Sequence, residues 1–478
     1  MKDKGLVNLS AKPFITAVVM ILALMVLTYT LTFFLPAGEF QREITEGGQV
    51  AIIEGTYHNV EGGISLIKWL LSPILLLGTA DGLSVASICL FLLVIGGAII
   101  PLDECGCMRY MLDMIAHKYK GKRYRLLAVV SLFFMALGSV VGSFEDAIPL
   151  VPVVVALSYS MGWDALVGLG MSLLPLGFGF STGISNVYTV GVAQRLAGLP
   201  LFSGVSFRIL TFALIYPLLL LLLRSYAKKL DADPKNSLVK GHTINNEIVA
   251  AGTEFEGNEK LRKSVNRFAG IIGFGLLLIM LSSVVAFLQD VITGLMALVF
   301  FTAGLVACFT AGMKGRAYAK LLGKGVWAMV PGVGVILMAS SIKYTLTESK
   351  TLDTILNYAV QLTKGLPPYA IVLSIYVLVL VLEFFIASAS AKAFLLIPLI
   401  VPLAQVNGIT RQLTVLTFVY GDGFSNLFFP TNPALLVCLS LVGVNYLTWV
   451  KWSAKFQIGV LIITCALLAL GLAVGYGA

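Results

Sequence analysis

The chain has 478 residues, 58% of them hydrophobic and only 12% charged, whereas soluble domains carry about 25% charged residues. That excludes an ordinary soluble protein and leaves an all-α polytopic membrane protein. The formal net charge of +9 does not point to nucleic acid, because the basic residues sit in short clusters beside apolar runs, as orienting loop charges do.

Lys2, Lys4 and Lys12 precede an apolar run from Pro13 to Pro36. It exceeds the roughly 7–15 apolar residues of a secretory signal and is expected to stay as the first span. An acid-rich loop, 38–62, follows. Segment 64–80, with Lys68, Pro73 and Asp81 at its border, reads as interfacial or re-entrant. Spans are predicted near 82–102, 126–142, 163–182 and 204–223, then near 268–289, 291–312, 326–346, 369–387, 409–429 and 446–476. With the uncertain segment this makes about 11–12 membrane segments. The charged stretch 224–267 reads as a cytoplasmic linker between a first membrane half (1–223) and a second (268–478). Cys89, Cys308, Cys438 and Cys465 lie in apolar segments as small core residues, and Cys105 and Cys107 have no second Cys or His pair at zinc spacing.

Residues 145–187 and 391–433 read as two copies of one pattern, 246 positions apart without a gap. Each opens with charge in apolar sequence, continues through Pro152 or Pro398, Gly162 or Gly408, and Gly177-Phe178 or Gly423-Phe424, and closes on Asn186 or Asn432. Nine of the 43 positions are identical, where chance gives about four. The basic clusters 118–125 and 314–324 are expected in the cytoplasm and loop 38–62 outside. Counted from those anchors, the N-terminus is cytoplasmic and the two copies enter the bilayer from opposite sides, an inverted-topology repeat.

In the first copy Ser143-Phe144-Glu145-Asp146 places two carboxylates after an apolar span. A carboxylate at membrane depth costs at least about 2.5–3.5 kcal/mol and is retained where water, a partner or an ion receives it; capping a helix at the membrane surface is the other reading. The second copy carries Ser388-Ala389-Ser390-Ala391-Lys392, small residues that let backbone approach a ligand, followed by a helix start with unpaired N–H groups. Lys392 either adds positive charge to that site, snorkels to the interface, or pairs with Glu383 nine residues earlier.

Each copy then reaches a Gly-rich break, 175–186 and 421–433. Gly and Pro weaken a helix and free its carbonyls, which is tolerated at depth where the break lines a polar cavity. Freed carbonyls with Asn186, Asn426, Thr431 and Asn432 suit a sodium ion, while Asp422, Glu145 or Asp146 suits a proton. Tight turns between ordinary helices are the alternative. Lys343, Arg208 and Arg195 are weaker signals, and Asp103-Glu104 and Asp164 read as caps. No His-Glu-x-x-His or Gly-x-Ser-x-Gly motif occurs, and the only histidines are His58, His117 and His242, so a membrane-embedded enzyme has little to work with. A channel is a third class.

Leu35-Pro-Ala-Gly-Glu-Phe, Ser143-Phe-Glu-Asp-Ala-Ile-Pro, Val190-Gly-Val-Ala-Gln-Arg-Leu-Ala-Gly-Leu-Pro, Ser390-Ala-Lys-Ala, Gly421-Asp-Gly-Phe-Ser-Asn and Pro430-Thr-Asn together resemble the YfcC family of bacterial carriers, relatives of the DcuC-like C4-dicarboxylate carriers in the ion-transporter superfamily. The resemblance covers nearly the whole chain. It implies an inner-membrane secondary transporter, commonly a homodimer, with a scaffold and a mobile transport domain containing two hairpins or broken helices. The site it implies comprises Ser143, Glu145, Asp146, Asn186, Ser388, Ser390, Lys392, Asp422, Asn426, Thr431 and Asn432, with Asp422, Glu145, Asn186 and Asn432 as ion or proton ligands. No cofactor is expected beyond Na+ or H+. One departure is Asn186-Val187-Tyr188 where the family has Asn-Pro-Phe. Carboxylates on one side and Lys392 on the other favour an amino acid as substrate, basic ones such as arginine or ornithine included, with a C4-dicarboxylate as the alternative.

Overall fold

The computed structural model describes residues 11–44, 50–53, 55–79, 82–119, 121–142, 148, 150–239, 258–282, 285–362 and 365–477. Among these, eight helices are long and apolar enough to cross a membrane, and four shorter apolar helices accompany them. The chain is a helical, multi-pass membrane protein.

Helix α1 (Ala11–Phe34) leads into the loop expected outside the membrane, which forms two small antiparallel ladders: β1 (Gly38–Glu39) with β4 (His58–Asn59), and β2 (Arg42–Ile44) with β3 (Val50–Ile52). This cap is welded to the start of α14 (Leu352–Leu362). The Arg42 guanidinium donates to both Asp353 oxygens at 2.9 and 2.8 Å, the Phe40 N–H donates to Asp353 at 2.9 Å, and the Tyr57 and Thr354 hydroxyls meet at 2.9 Å. Burial pushes the Asp353 carboxyl above its ordinary range, against the pull of the Phe40 N–H and Arg42.

The ambiguous segment 64–80 forms α2 (Leu66–Leu75), capped by the Ser65 hydroxyl. Ten residues rise only about 15 Å, half the apolar thickness of a bilayer. Leu66, Ile67, Leu70, Leu71 and Ile74 are exposed while Trp69 is buried, the face pattern of an interfacial helix.

Helices α3 (Gly82–Glu104), α11 (Glu259–Ser282), α12 (Ala286–Thr310) and α13 (Gly315–Glu348) pack with α1 as one group. An added Cβ on Gly96 or Gly325 would overlap the facing backbone, so α3 and α13 cross at the closeness that small residues permit. The second group contains α5 (Arg123–Val140), α6 (Leu150–Ser160), α7 (Ala165–Met171), α8 (Leu173–Thr182), α9 (Val192–Leu196) and α10 (Val205–Ala232). It also contains α15 (Pro368–Phe385), α16 (Ala389–Val406), α17 (Arg411–Gly423), α18 (Pro433–Leu441) and α19 (Tyr446–Ala473). Helix α4 (Cys107–Lys118) joins the groups.

The expected linker, 224–267, is shorter than its charge suggested. Helix α10 runs on to Ala232 and α11 begins at Glu259. No Gly or Pro interrupts Arg224–Ala232, and Asp231 is held by Arg123 at 2.8 Å and by the Trp163 indole at 3.0 Å. Residues 240–257 lie outside the described residues. The predicted span 409–429 also ends early, because α17 stops at Gly423.

Candidate functional site: paired helix breaks around a buried ion cluster

Positions 246 apart play the same parts in the two halves. Gly162 and Gly408 both take positive φ (84° and 73°), the left-handed region that glycine enters without strain. Asp164 and Thr410 then cap α7 and α17 by accepting from the N–H three residues on. At the breaks, the Asn186 amide oxygen accepts from the Tyr188 and Thr189 N–H groups at 2.9 and 3.2 Å. The Asn432 oxygen accepts from Ala434 and Leu435 at 2.9 and 3.2 Å. Each asparagine restarts a helix after the chain has broken. Where the second half has Pro433 at the first helical position, preset for a helix start, the first half has Val187 and restarts through a π-turn, Val187–Gly191. The family departure therefore changes the turn and keeps the cap.

The two breaks pack closely against each other. A Cβ on Gly177 would overlap Leu427, and one on Gly423 would overlap Ser181. Since 423 and 427 are the counterparts of 177 and 181, the contact is reciprocal.

Beside this crossing lies a cluster of three charges. Lys392, on the first turns of α16, and Asp422, near the end of α17, are fully buried, and Glu383 is 1% exposed. The Lys392 ammonium is 2.7 Å from an Asp422 oxygen and also contacts the Glu383 carboxylate. The other Asp422 oxygen accepts from the Thr189 hydroxyl at 3.4 Å, a bond from one half of the chain to the other. Thr189 is itself hydrogen bonded to the Asn186 amide at 3.3 Å. Burying a lysine among carboxylates is tolerated only with such pairing.

Several carbonyls of the breaks already have side-chain donors. Arg208, 1% exposed, donates to Ile184, Phe202 and Ser203 carbonyls. In the second half the Trp449 indole donates to Leu427 at 2.7 Å and the Tyr446 hydroxyl to Phe428 at 2.6 Å. The Asn186 and Asn432 oxygens are occupied as caps. Arg208, read as a weak signal, is a structural donor.

Of the other expected site residues, Asn426 bridges Asn432 (2.7 Å) and the Asp422 carbonyl (3.2 Å). Thr431 is buried at 5% exposure with its hydroxyl unpartnered. Ser388 caps α16 and is exposed, and Ser390 is half-buried. Ser143, Glu145 and Asp146 lie outside the described residues; Gly142, which precedes them, has a positive φ and abuts the Asn186 side chain. Thr189 was missed because its role depends on a bond to a residue 233 positions away. Glu383 was legible as a lone charge in an apolar helix.

A buried charged cluster between two broken helices, inside a protein of long apolar spans, defines a multi-pass membrane transporter. The family model of the C4-dicarboxylate anaerobic carriers (DcuC) matches residues 14–473, and the chain belongs to that family. Escherichia coli (strain K12) YfcC is 27% identical over 418 residues, spanning 82% of this chain and 78% of that protein. An uncharacterized Haemophilus influenzae protein is 26% identical over 407 residues, spanning 84% of this chain and 77% of its own length. Among solved structures, the Alcanivorax borkumensis YdaH transporter aligns over 98% of this chain and 99% of its own, with 16% identity and a TM-score of 0.42. The Neisseria gonorrhoeae efflux pump MtrF aligns over 95% and 94%, with 16% identity and a TM-score of 0.44.

Proposed function

We propose that the protein is a secondary transporter of the bacterial inner membrane that carries amino acids, basic ones foremost, by alternating access coupled to protons. The observation that carries this reading is the buried Lys392–Asp422 pair, 2.7 Å apart, set where the two helix breaks meet. A substrate ammonium competes with Lys392 for Asp422, and a substrate carboxylate competes with Asp422 for Lys392. Thr431, with its free hydroxyl, supplies a further contact. The two carboxylates and one lysine sum to a negative site, which disfavours a dianion.

Proton coupling is favoured because Asp422 is ionisable and buried, and because the Ile184, Leu427 and Phe428 carbonyls already accept from Arg208, Trp449 and Tyr446. The proposal sets the two halves in opposite directions with the N-terminus in the cytoplasm, on the strength of the basic clusters 118–125 and 314–324. An elevator-like movement of the second helix group against the first, in a homodimer, completes the proposal. The name of YfcC proposes basic amino acid antiport, in keeping with this site chemistry. The family description favours a second reading, C4-dicarboxylate transport.

The test is counterflow in proteoliposomes. Exchange of arginine or ornithine that responds to a pH gradient and not to sodium supports the proposal. Exchange of C4-dicarboxylates alone establishes the second reading, and flux that does not saturate points to a channel.

A further inference from the structure

Glu383 is a buried charge to which the proposed function gives no task. It sits near the end of α15, a helix that is otherwise apolar from Ile371 to Phe385 apart from Ser374 and Tyr376. Three helices pack against α15. Helix α16 presents Lys392 and α17 presents Asp422, whereas α19 brings the Thr464 hydroxyl to Tyr376 at 2.8 Å and carries Lys451 and Lys455 on its exposed face. The end of α15 also meets Phe429 and, through Phe385, the apolar cluster around Ile21 and Ile342, and Glu383 itself contacts Lys392, which it shares with Asp422.

The two carboxylates are held differently. Asp422 is tied to Thr189 as well as to Lys392, while neither Glu383 oxygen has a hydrogen-bond partner beyond its ion contact with the lysine. A carboxylate kept for stability in a dry interior is normally held by several donors. Glu383 has one relationship, to a lysine that already has a counter-ion. That arrangement matters when Asp422 is taken by something else. With a proton or another cation on Asp422 and no substrate carboxylate yet on Lys392, the lysine would be a buried cation with nothing opposite it, a strongly disfavoured state.

We propose that Glu383 is the alternate counter-ion of Lys392, holding the lysine while Asp422 is occupied by the transported or coupling cation. Loading Asp422 then needs neither exposure nor deprotonation of the lysine. This deepens the proposed function and rests on it for the identity of the cation.

A double-mutant cycle on thermal unfolding of the purified full chain tests it, with D422N standing for the occupied aspartate. E383Q and D422N are each expected to melt near the wild type, because one carboxylate remains for Lys392. The double variant is expected to melt well below the sum of the single shifts, and adding K392M is expected to restore it. Additive shifts, or a double variant that K392M does not rescue, overturn the inference. In a second arm, arginine binding is titrated by calorimetry across pH. E383Q is expected to weaken binding about tenfold or more, through the lysine left unpaired, with E383D close to wild type. Wild-type binding by E383Q alongside loss in D422N overturns the role of Glu383 and leaves the proposed function standing. Absence of arginine binding in the wild type overturns the proposed function, and the unfolding cycle still decides the role of Glu383.

Discussion

Phe178 and Phe424 stand 246 positions apart in sequence, and their ring centroids lie 5.4 Å apart with the planes inclined by 37°. They are counterparts in the two copies of the repeat, so each half of the chain touches its own equivalent. The contacts beside this pair, Gly177 with Leu427 and Gly423 with Ser181, follow the same 246-residue correspondence.

Those contacts give the first prediction. Gly423→Ala and Gly177→Ala each force a Cβ into Ser181 or Leu427 and are expected to cost about 1–3 kcal/mol through overpacking. Gly270→Ala, in a helix with open space around the glycine, is expected to be neutral or slightly stabilising. Thermal unfolding of the three purified variants separates these outcomes, and a Gly423→Ala protein as stable as Gly270→Ala contradicts the packing.

The matched caps give a second. Asn186→Ala and Asn432→Ala each remove an oxygen that accepts two backbone N–H groups, and each is expected to destabilise by about 1–2 kcal/mol. Replacement by Asp, which retains the acceptor, is expected to recover part of the loss in chemical denaturation. Equal behaviour of Ala and Asp variants argues that the caps contribute nothing.

Lys392→Met removes the only described cation of the cluster and leaves Glu383 and Asp422 buried together. Breaking a buried pair on one side costs about 3–5 kcal/mol, so the variant is expected to melt far below the wild type and to lose substrate binding. Combining Lys392→Met with Glu383→Gln and Asp422→Asn is expected to regain stability without regaining binding. Melting curves and calorimetry on the same preparations check both statements.

Asp422→Asn keeps the shape of the site and removes its titratable group. Substrate exchange in proteoliposomes is expected to fall steeply, and whatever exchange remains is expected to lose its response to a pH gradient. Retention of the wild-type pH response would move proton coupling away from Asp422.

At the cap, the Asp353 carboxyl is raised above its ordinary range, chiefly by burial. The folded state therefore holds a proton more readily than the unfolded chain, and this group's contribution to stability falls as pH rises from the ordinary carboxylate range through the folded value. Relative to Asp353→Asn, which does not titrate there, the wild type is expected to gain stability on acidification through that window. Unfolding measured at a series of pH values for both proteins reads the difference, and the opposite slope would contradict the raised carboxyl.

Sequence was a good guide wherever a residue's role is local. Apolar runs marked the spans, and Gly177, Asn186, Gly423 and Asn432 marked the breaks, because a helix interior disfavours Gly and a helix start favours Asn. Lys392 and Asp422 stood out as charges in apolar surroundings. What stayed hidden depends on partners distant in the chain. The Thr189 hydroxyl looks like any helix threonine until Asp422 is beside it, and the donors that Arg208 and Trp449 bring to the Ile184 and Leu427 carbonyls come from the helices that follow. The linker was overestimated for a related reason, since charge in sequence does not distinguish a loop from the polar end of a long helix such as α10.

The glycine contacts also bear on which changes the two halves tolerate. Val187 and Pro433 can differ because the asparagine before each supplies the cap whichever residue follows. Gly177 faces the Leu427 side chain and Gly423 faces Ser181, so each position carries its own size limit, set by a residue of the opposite half. A larger residue at either glycine calls for a smaller partner across the contact, which makes the packing of one half a condition on the sequence of the other.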